Sequence, residues 1–150
     1  MEIQYLGTAS AEGLPALFCS CEICKRAREA KGKELRTRTQ ALVDKKILID
    51  LPPDTYMHSL KYSLELGQVR HLLITHSHMD HFFPVELIHR HEHFGHYAEG
   101  ILQVYGNEAA EKAFYDAVLI DRFRVHPLDD AVRFVRIEPF ADFMADGYHM

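Results

Sequence analysis

The chain has 150 residues, 47% hydrophobic and 26% charged, with a formal net charge of −5 when its histidines are neutral. Those figures suit one folded, soluble domain with a single core and exclude a disordered chain. The acidic balance, with no basic run longer than Lys45-Lys46, argues against a nucleic-acid surface. No apolar stretch approaches the ~20 residues of a membrane span, and the opening MEIQYLGTAS lacks the pattern of a secretory signal. All three cysteines fall between Cys19 and Cys24, a poor disulfide framework, so a reducing, cytoplasmic setting is expected.

Glu2 to Leu6 alternates polar and apolar residues and predicts a strand, broken by Gly7-Thr8-Ala9-Ser10. The cysteines follow Pro15. Glu22 to Lys31 predicts a charged surface helix ended by Gly32. Thr39–Asp44 and Lys46–Leu51 predict paired strands turning at Asp44-Lys45, with Pro52-Pro53 stopping the second. Asp54 can cap a helix whose apolar positions Tyr56, Met57, Leu60 and Leu64 keep a helical period to Gly67. His71 to Thr75 is a short buried strand. Pro84 suits the first turn of a helix running to about Gly95. Ile101–Tyr105 is another strand, and Ala110, Ala113, Phe114, Ala117 and Val118 mark an amphipathic helix beginning at Asn107. Val132–Ile137 is a last full strand, and Asp146-Gly147 a turn entering a new one. Strands alternating with helices imply a layered α/β fold, and the early hairpin implies a mixed sheet with flanking helices.

The stretch that leaves the His71–Thr75 strand is Ile74-Thr75-His76-Ser77-His78-Met79-Asp80-His81. Neutral imidazole and carboxylate suit zinc, manganese or iron. In an extended segment residues two apart point the same way, so His76 and His78 can grip one ion. Asp80 and His81 come where the loop turns into the next helix and can address a second ion, as two-metal hydrolases require. The alternative is a polar loop whose histidines are satisfied by hydrogen bonds. Asp50, at the end of Ile47-Leu48-Ile49-Asp50, reads on its own as a cap or turn residue.

H-x-H-x-D-H after an apolar strand resembles the signature of the metallo-β-lactamase superfamily, metal-dependent hydrolases with an αββα sandwich. The resemblance implies that His76 and His78 serve a first metal and Asp80 and His81 a second. It makes Asp80 a catalytic-site residue and gives Asp50 the role of orienting ligands by hydrogen bonds. Two divalent ions, zinc or manganese with iron as a further option, would then activate hydroxide for attack on the substrate.

Cys19-Ser20-Cys21-Glu22-Ile23-Cys24 offers three soft thiolates, one short of a tetrahedral zinc site. Three reduced, partly buried cysteines are the alternative. Gly7-Thr8-Ala9-Ser10-Ala11-Glu12-Gly13-Leu14-Pro15 followed by these cysteines resembles one branch of the superfamily, that of the phosphoribosyl cyclic phosphate phosphodiesterase of carbon–phosphorus lyase pathways. The resemblance implies that Cys19, Cys21 and Cys24 hold a structural zinc, completed by a histidine from the C-terminal half. Ile47 to Asp54 is similar to the branch's I-D-x-G-P-D pattern, with Pro52 where glycine is common.

His89, His93 and His96 would share one face of a helix at i, i+4, i+7, with His91 on another. They either contact an anionic substrate at the site mouth or form a solvated helix end, and none is assigned to a metal. The superfamily site also needs a later histidine, a bridging aspartate and a final histidine. Asp116, Asp121, His126, Asp129, Asp130, Asp142, Asp146 and His149 follow His81, none in a recognisable context. The expectation is therefore an N-terminal part of a larger domain, with a small-molecule phosphodiester as substrate and a homodimer as an open option. Lactone, thioester or β-lactam hydrolysis, a non-catalytic metal-binding module and a nuclease of the same superfamily remain as alternatives.

Overall fold

The computed structural model describes residues 1–92, 94–96, 100–120 and 128–150. Six strands run through it in chain order: β1 (Ile3–Gly7), β2 (Gln40–Val43), β3 (Ile47–Ile49), β4 (His71–Leu73), β5 (Leu102–Gly106) and β6 (Val132–Arg136). They also lie side by side in that order. β1, β2 and β3 pair antiparallel, whereas β3 to β6 pair parallel, so the sheet is mixed as expected. The turn from β2 to β3 places Asp44 and Lys45 at φ 46° and 59°. A tight hairpin needs that left-handed pair to match the twist of its strands.

Alternation along the strands sorts the core into two layers. Leu42, Leu48, Leu72, Val104 and Val132 face one side, where they meet Ala110 and Phe114 of helix α3 (Glu108–Ile120). Val43, Ile47 and Tyr105 face the other side and meet Ala145. Ala145 belongs to a small hairpin, β7 (Met144–Ala145) and β8 (Tyr148–His149), turning at Asp146-Gly147 as expected. Lys46 pairs with Asp146 at 2.8 Å, and the Tyr148 hydroxyl donates to the Asp44 carboxylate. The hairpin is thus fastened to the β2–β3 turn and begins a second β layer on the first.

Two expected helices differ from the sequence reading. Helix α2 (Thr55–Tyr62) leaves Tyr56 and Leu60 69% and 65% exposed, while His58 on the opposite face is fully buried. Its apolar period therefore does not mark its packed face. Asp54 does not cap it; its carboxylate accepts from the Arg38 guanidinium at 3.0 Å instead. The helix ends where Ser63 turns left-handed (φ 51°), short of Gly67. After Pro84 the chain forms a 3-10 helix, Pro84–Arg90, rather than an α-helix to Gly95. The helices α1 (Glu22–Ala30) and α3, by contrast, follow the predicted spans closely.

Candidate metal centres

β3 and β4 are parallel neighbours, so Asp50 and Thr75 leave the same edge of the sheet, where α/β folds gather their ligands. Asp50 is 1% exposed and sits at φ 63°, a left-handed conformation uncommon for a residue with a Cβ. Its backbone N–H donates to the Leu73 carbonyl at 2.8 Å. Its carboxylate accepts from the Thr75 N–H (2.9 Å), the Thr75 hydroxyl (2.9 and 3.0 Å) and His81 Nδ1 (2.6 Å). Because a carboxylate only accepts, His81 carries a proton on Nδ1, and its Nε2 turns outward. That Nε2 lies 3.4 Å from Asp80 Oδ2. Two donors bound to one tetrahedral ion at ordinary zinc distances lie about 3.4 Å apart, so this pair fits a metal without rearrangement.

His76 and His78 lie beside this pair. Their rings meet edge to face with centroids 4.8 Å apart, and the His76 ring lies 4.1 Å from that of His81. The loop is held by its own backbone: the N–H groups of His81 and Phe82 donate to the His78 carbonyl at 2.9 and 2.7 Å. It is also clasped to the end of β3, where the Leu51 N–H donates to the His81 carbonyl and the Phe83 N–H to the Leu51 carbonyl, both at 2.7 Å. Glu12, in the early glycine loop, is near enough for the Asp80 charge to act on it. Its own N–H and the Ser10 hydroxyl nonetheless hold its carboxyl below the usual range. His76, His78, Asp80 and His81 are thus brought together, with His76 nearer to His81 than to His78.

The other histidines separate. Because the 3-10 helix stops at Arg90, His89 and His96 do not share a helical face, as the expected His89–His93–His96 stripe requires. His89 Nδ1 meets Glu86 at 3.0 Å instead. His93, Asp121 and His126 lie outside the described residues.

The cysteines do converge. The ligand atoms of Cys19, Cys21 and Cys24 all lie within 4.8 Å of one another, the one group of three or more metal-type ligands with that property among the described residues. Cys21 stands at the N-terminus of α1 and Cys24 in its first turn, where the helix dipole favours thiolate. The Cys24 N–H, with the thiols of Cys19 and Cys24, draws the Cys21 thiol down to about 7. Cys24 moves the opposite way: the Ala16 N–H lowers it, but desolvation and its two cysteine neighbours raise it further. Arg28 clamps the loop by donating to the Ala16 and Cys19 carbonyls at 3.1 and 2.7 Å. Three converging sulfurs, one already near its thiolate form at neutral pH, are a donor set suited to zinc.

Sequence reasoning missed Thr75, Gln40 and His58 as parts of this region. Thr75 stands inside the quoted motif, but its target lies 25 residues earlier, and nothing local announces it.

No family model matches the chain. In sequence, 78 residues match an octanoyltransferase from Porphyromonas gingivalis (strain ATCC BAA-308 / W83) at 33% identity, covering 51% of this chain and 15% of that protein. Among solved structures, a diphosphatase from the PhnP family superposes with a TM-score of 0.75 over 98% of this chain and 54% of its own, at 19% identity. Zinc-bound PqqB from Methylobacterium extorquens gives 0.73 over 95% and 51%, at 21% identity. The metallo-β-lactamase fold protein YhfI from Bacillus subtilis gives 0.55 over 74% and 44%, at 14% identity. The chain spans about half the length of these structures. Its fold is the metallo-β-lactamase fold, and a diphosphatase from the PhnP family is among its structural neighbours.

Proposed function

We propose that this chain, with its metallo-β-lactamase fold, is the N-terminal part of a metal-dependent hydrolase acting on a small, cyclic or linear phosphodiester. The observation that carries the reading is the Asp50–His81–Asp80 arrangement. His81 is held by Asp50 in one tautomer, with its outward nitrogen 3.4 Å from an Asp80 oxygen. Asp80 and His81 would hold one divalent ion, and His76 and His78 another, of zinc, manganese or iron. When bound, such ions supply Lewis-acid stabilisation of phosphoryl oxygens and acidify water. The protein's part is to keep the donors fixed: Asp50 sets the His81 ring, and the loop's backbone bonds to Leu51 fix its path. Cys19, Cys21 and Cys24 would hold a structural zinc at the base of α1. A cytoplasmic setting suits three reduced cysteines, and no described helix is long and apolar enough to cross a membrane.

A second reading has a specific observation behind it. No three of His76, His78, Asp80 and His81 are among the converging ligand groups of the described residues. A non-catalytic metal-binding module would need no closer convergence. Assaying the metal-loaded protein on phosphodiesters, lactones, thioesters and β-lactams separates the readings. Phosphodiester turnover, reduced at least about 100-fold by Asp80→Ala, is the expected result. Turnover indifferent to Asp80→Ala overturns the mechanism, and stoichiometric metal without turnover of any substrate favours the module.

A further inference from the structure

Gln40, Asp50, Thr55 and His58 are the buried polar or charged side chains of the described residues, and all four belong to one hydrogen-bonded chain. Gln40 Nε2 donates to the Asp50 carbonyl at 3.0 Å and to the Thr55 hydroxyl at 2.9 Å. The Thr55 hydroxyl donates onward to the Pro52 carbonyl at 2.7 Å. With its amide nitrogen committed twice, Gln40 turns its oxygen to His58 Nδ1 at 2.5 Å, which must therefore be the donor. His58 Nε2 then accepts from the Thr37 hydroxyl at 2.6 Å. One tautomer of a neutral ring satisfies every member. Burial pushes the His58 imidazole below the ordinary histidine range, in keeping with a neutral ring.

Such a network is costly to bury unless every polar group in it is matched. What it grips is the backbone at and just after the left-handed turn at Asp50: the Asp50 and Pro52 carbonyls. We infer that His58 and Gln40 are positioning residues of the histidine–aspartate centre, fixing the Asp50 backbone so that its carboxylate holds His81 in the Nδ1–H tautomer. This rests on the metal-ligand reading of His76, His78, Asp80 and His81. The line of contacts runs Thr37, His58, Gln40, Asp50, His81. Its first member also ties in the glycine loop, because the Thr37 carbonyl accepts from the N–H groups of Thr8 and Ala9.

The test uses His58→Leu, which removes the donor to Gln40, and His58→Asn, whose amide can replace it. In metal-free protein, ring nitrogen-15 shifts of His81 should report the Nδ1–H form in wild type and His58→Asn. In His58→Leu they should report a mixture of tautomers. In titrations with zinc, His58→Leu should weaken the histidine–aspartate centre about 10-fold, the lower end of the usual effect of residues behind a ligand. His58→Asn should restore it, and the cysteine centre, followed by cobalt–thiolate absorption, should not change in either variant. An unaltered His81 tautomer in His58→Leu overturns the inference, as does an equal loss of affinity at both centres. If His58→Leu does not fold, Thr37→Val takes its place: it strips the Nε2 partner, and a His81 spectrum identical to wild type overturns the inference in the same way. If wild-type protein binds no metal at His76–His81, the proposed function fails, while the nitrogen-15 comparison still decides the positioning role.

Discussion

His58 is a fully buried imidazole whose two nitrogens are both engaged, and its burial lowers its proton affinity. Burial lowers that of His71 as well. A group whose folded pKa lies beneath its unfolded value of 6.5 leaves stability intact above that value. Below it, the unfolded chain takes up a proton that the folded chain refuses, so stability falls with pH until the folded pKa is passed. Urea midpoints measured from pH 7.5 down to 5 should therefore drop on the acid side, and His58→Asn should remove part of the drop. Parallel curves for the two proteins would show that His58 does not titrate with folding. At this scale the sequence disclosed candidate ligands better than their supports. His76, His78, Asp80 and His81 are adjacent in the chain, so their spacing announces them. Asp50 is recognisable only through the strand it ends, and Gln40 and His58, 18 residues apart, carry no local mark because only the folded sheet brings them together.

Elements were legible where hydrophobic period and burial coincide, and misleading where they do not. β2 to β6 follow apolar runs, and α3 buries Ala110, Phe114 and Ala117 on its predicted stripe. In α2 the stripe points outward, because the space beneath the helix is filled by Thr55 and His58 of the polar network. Leu60→Ser should consequently change stability by no more than about 0.5 kcal/mol, the usual effect of a surface substitution. Leu72→Ala, at a position 1% exposed in β4, should cost about 2–5 kcal/mol through lost burial and the cavity left behind. Chemical denaturation of the two variants reads both values directly. A large loss from Leu60→Ser would mean that the exposed face of α2 is covered in solution. The Pro84–Arg90 segment failed to continue as an α-helix for a reason no period shows: His91 takes an extended backbone (φ −61°, ψ 143°) that breaks the helix.

For the molecule as a whole, binding confined to the folded state adds stability by mass action, about 2.7 kcal/mol at a free metal concentration 100 times the dissociation constant. In a domain of this size that is a rise of roughly 5–11 °C in melting temperature. Zinc should raise the midpoint of metal-free protein in a concentration-dependent way, and a chelator should reverse it. Replacing Cys19, Cys21 and Cys24 together by serine should abolish the portion due to the thiolates. A midpoint indifferent to zinc would remove both candidate centres at once.

The clasp between Leu51 and the His81–Phe83 segment bears on how such a site comes into being. Its two 2.7 Å bonds extend strand-like pairing one step past the end of β3, so the ligand loop is an annex of the sheet. A loop tied down this way loses its conformational freedom when the sheet forms, before an ion arrives. The metal capture proposed for His76–His81 would then be a docking event onto a loop already ordered, with the ordering entropy charged to folding rather than to binding. Exchange of one ion for another can proceed without the loop unravelling between occupants.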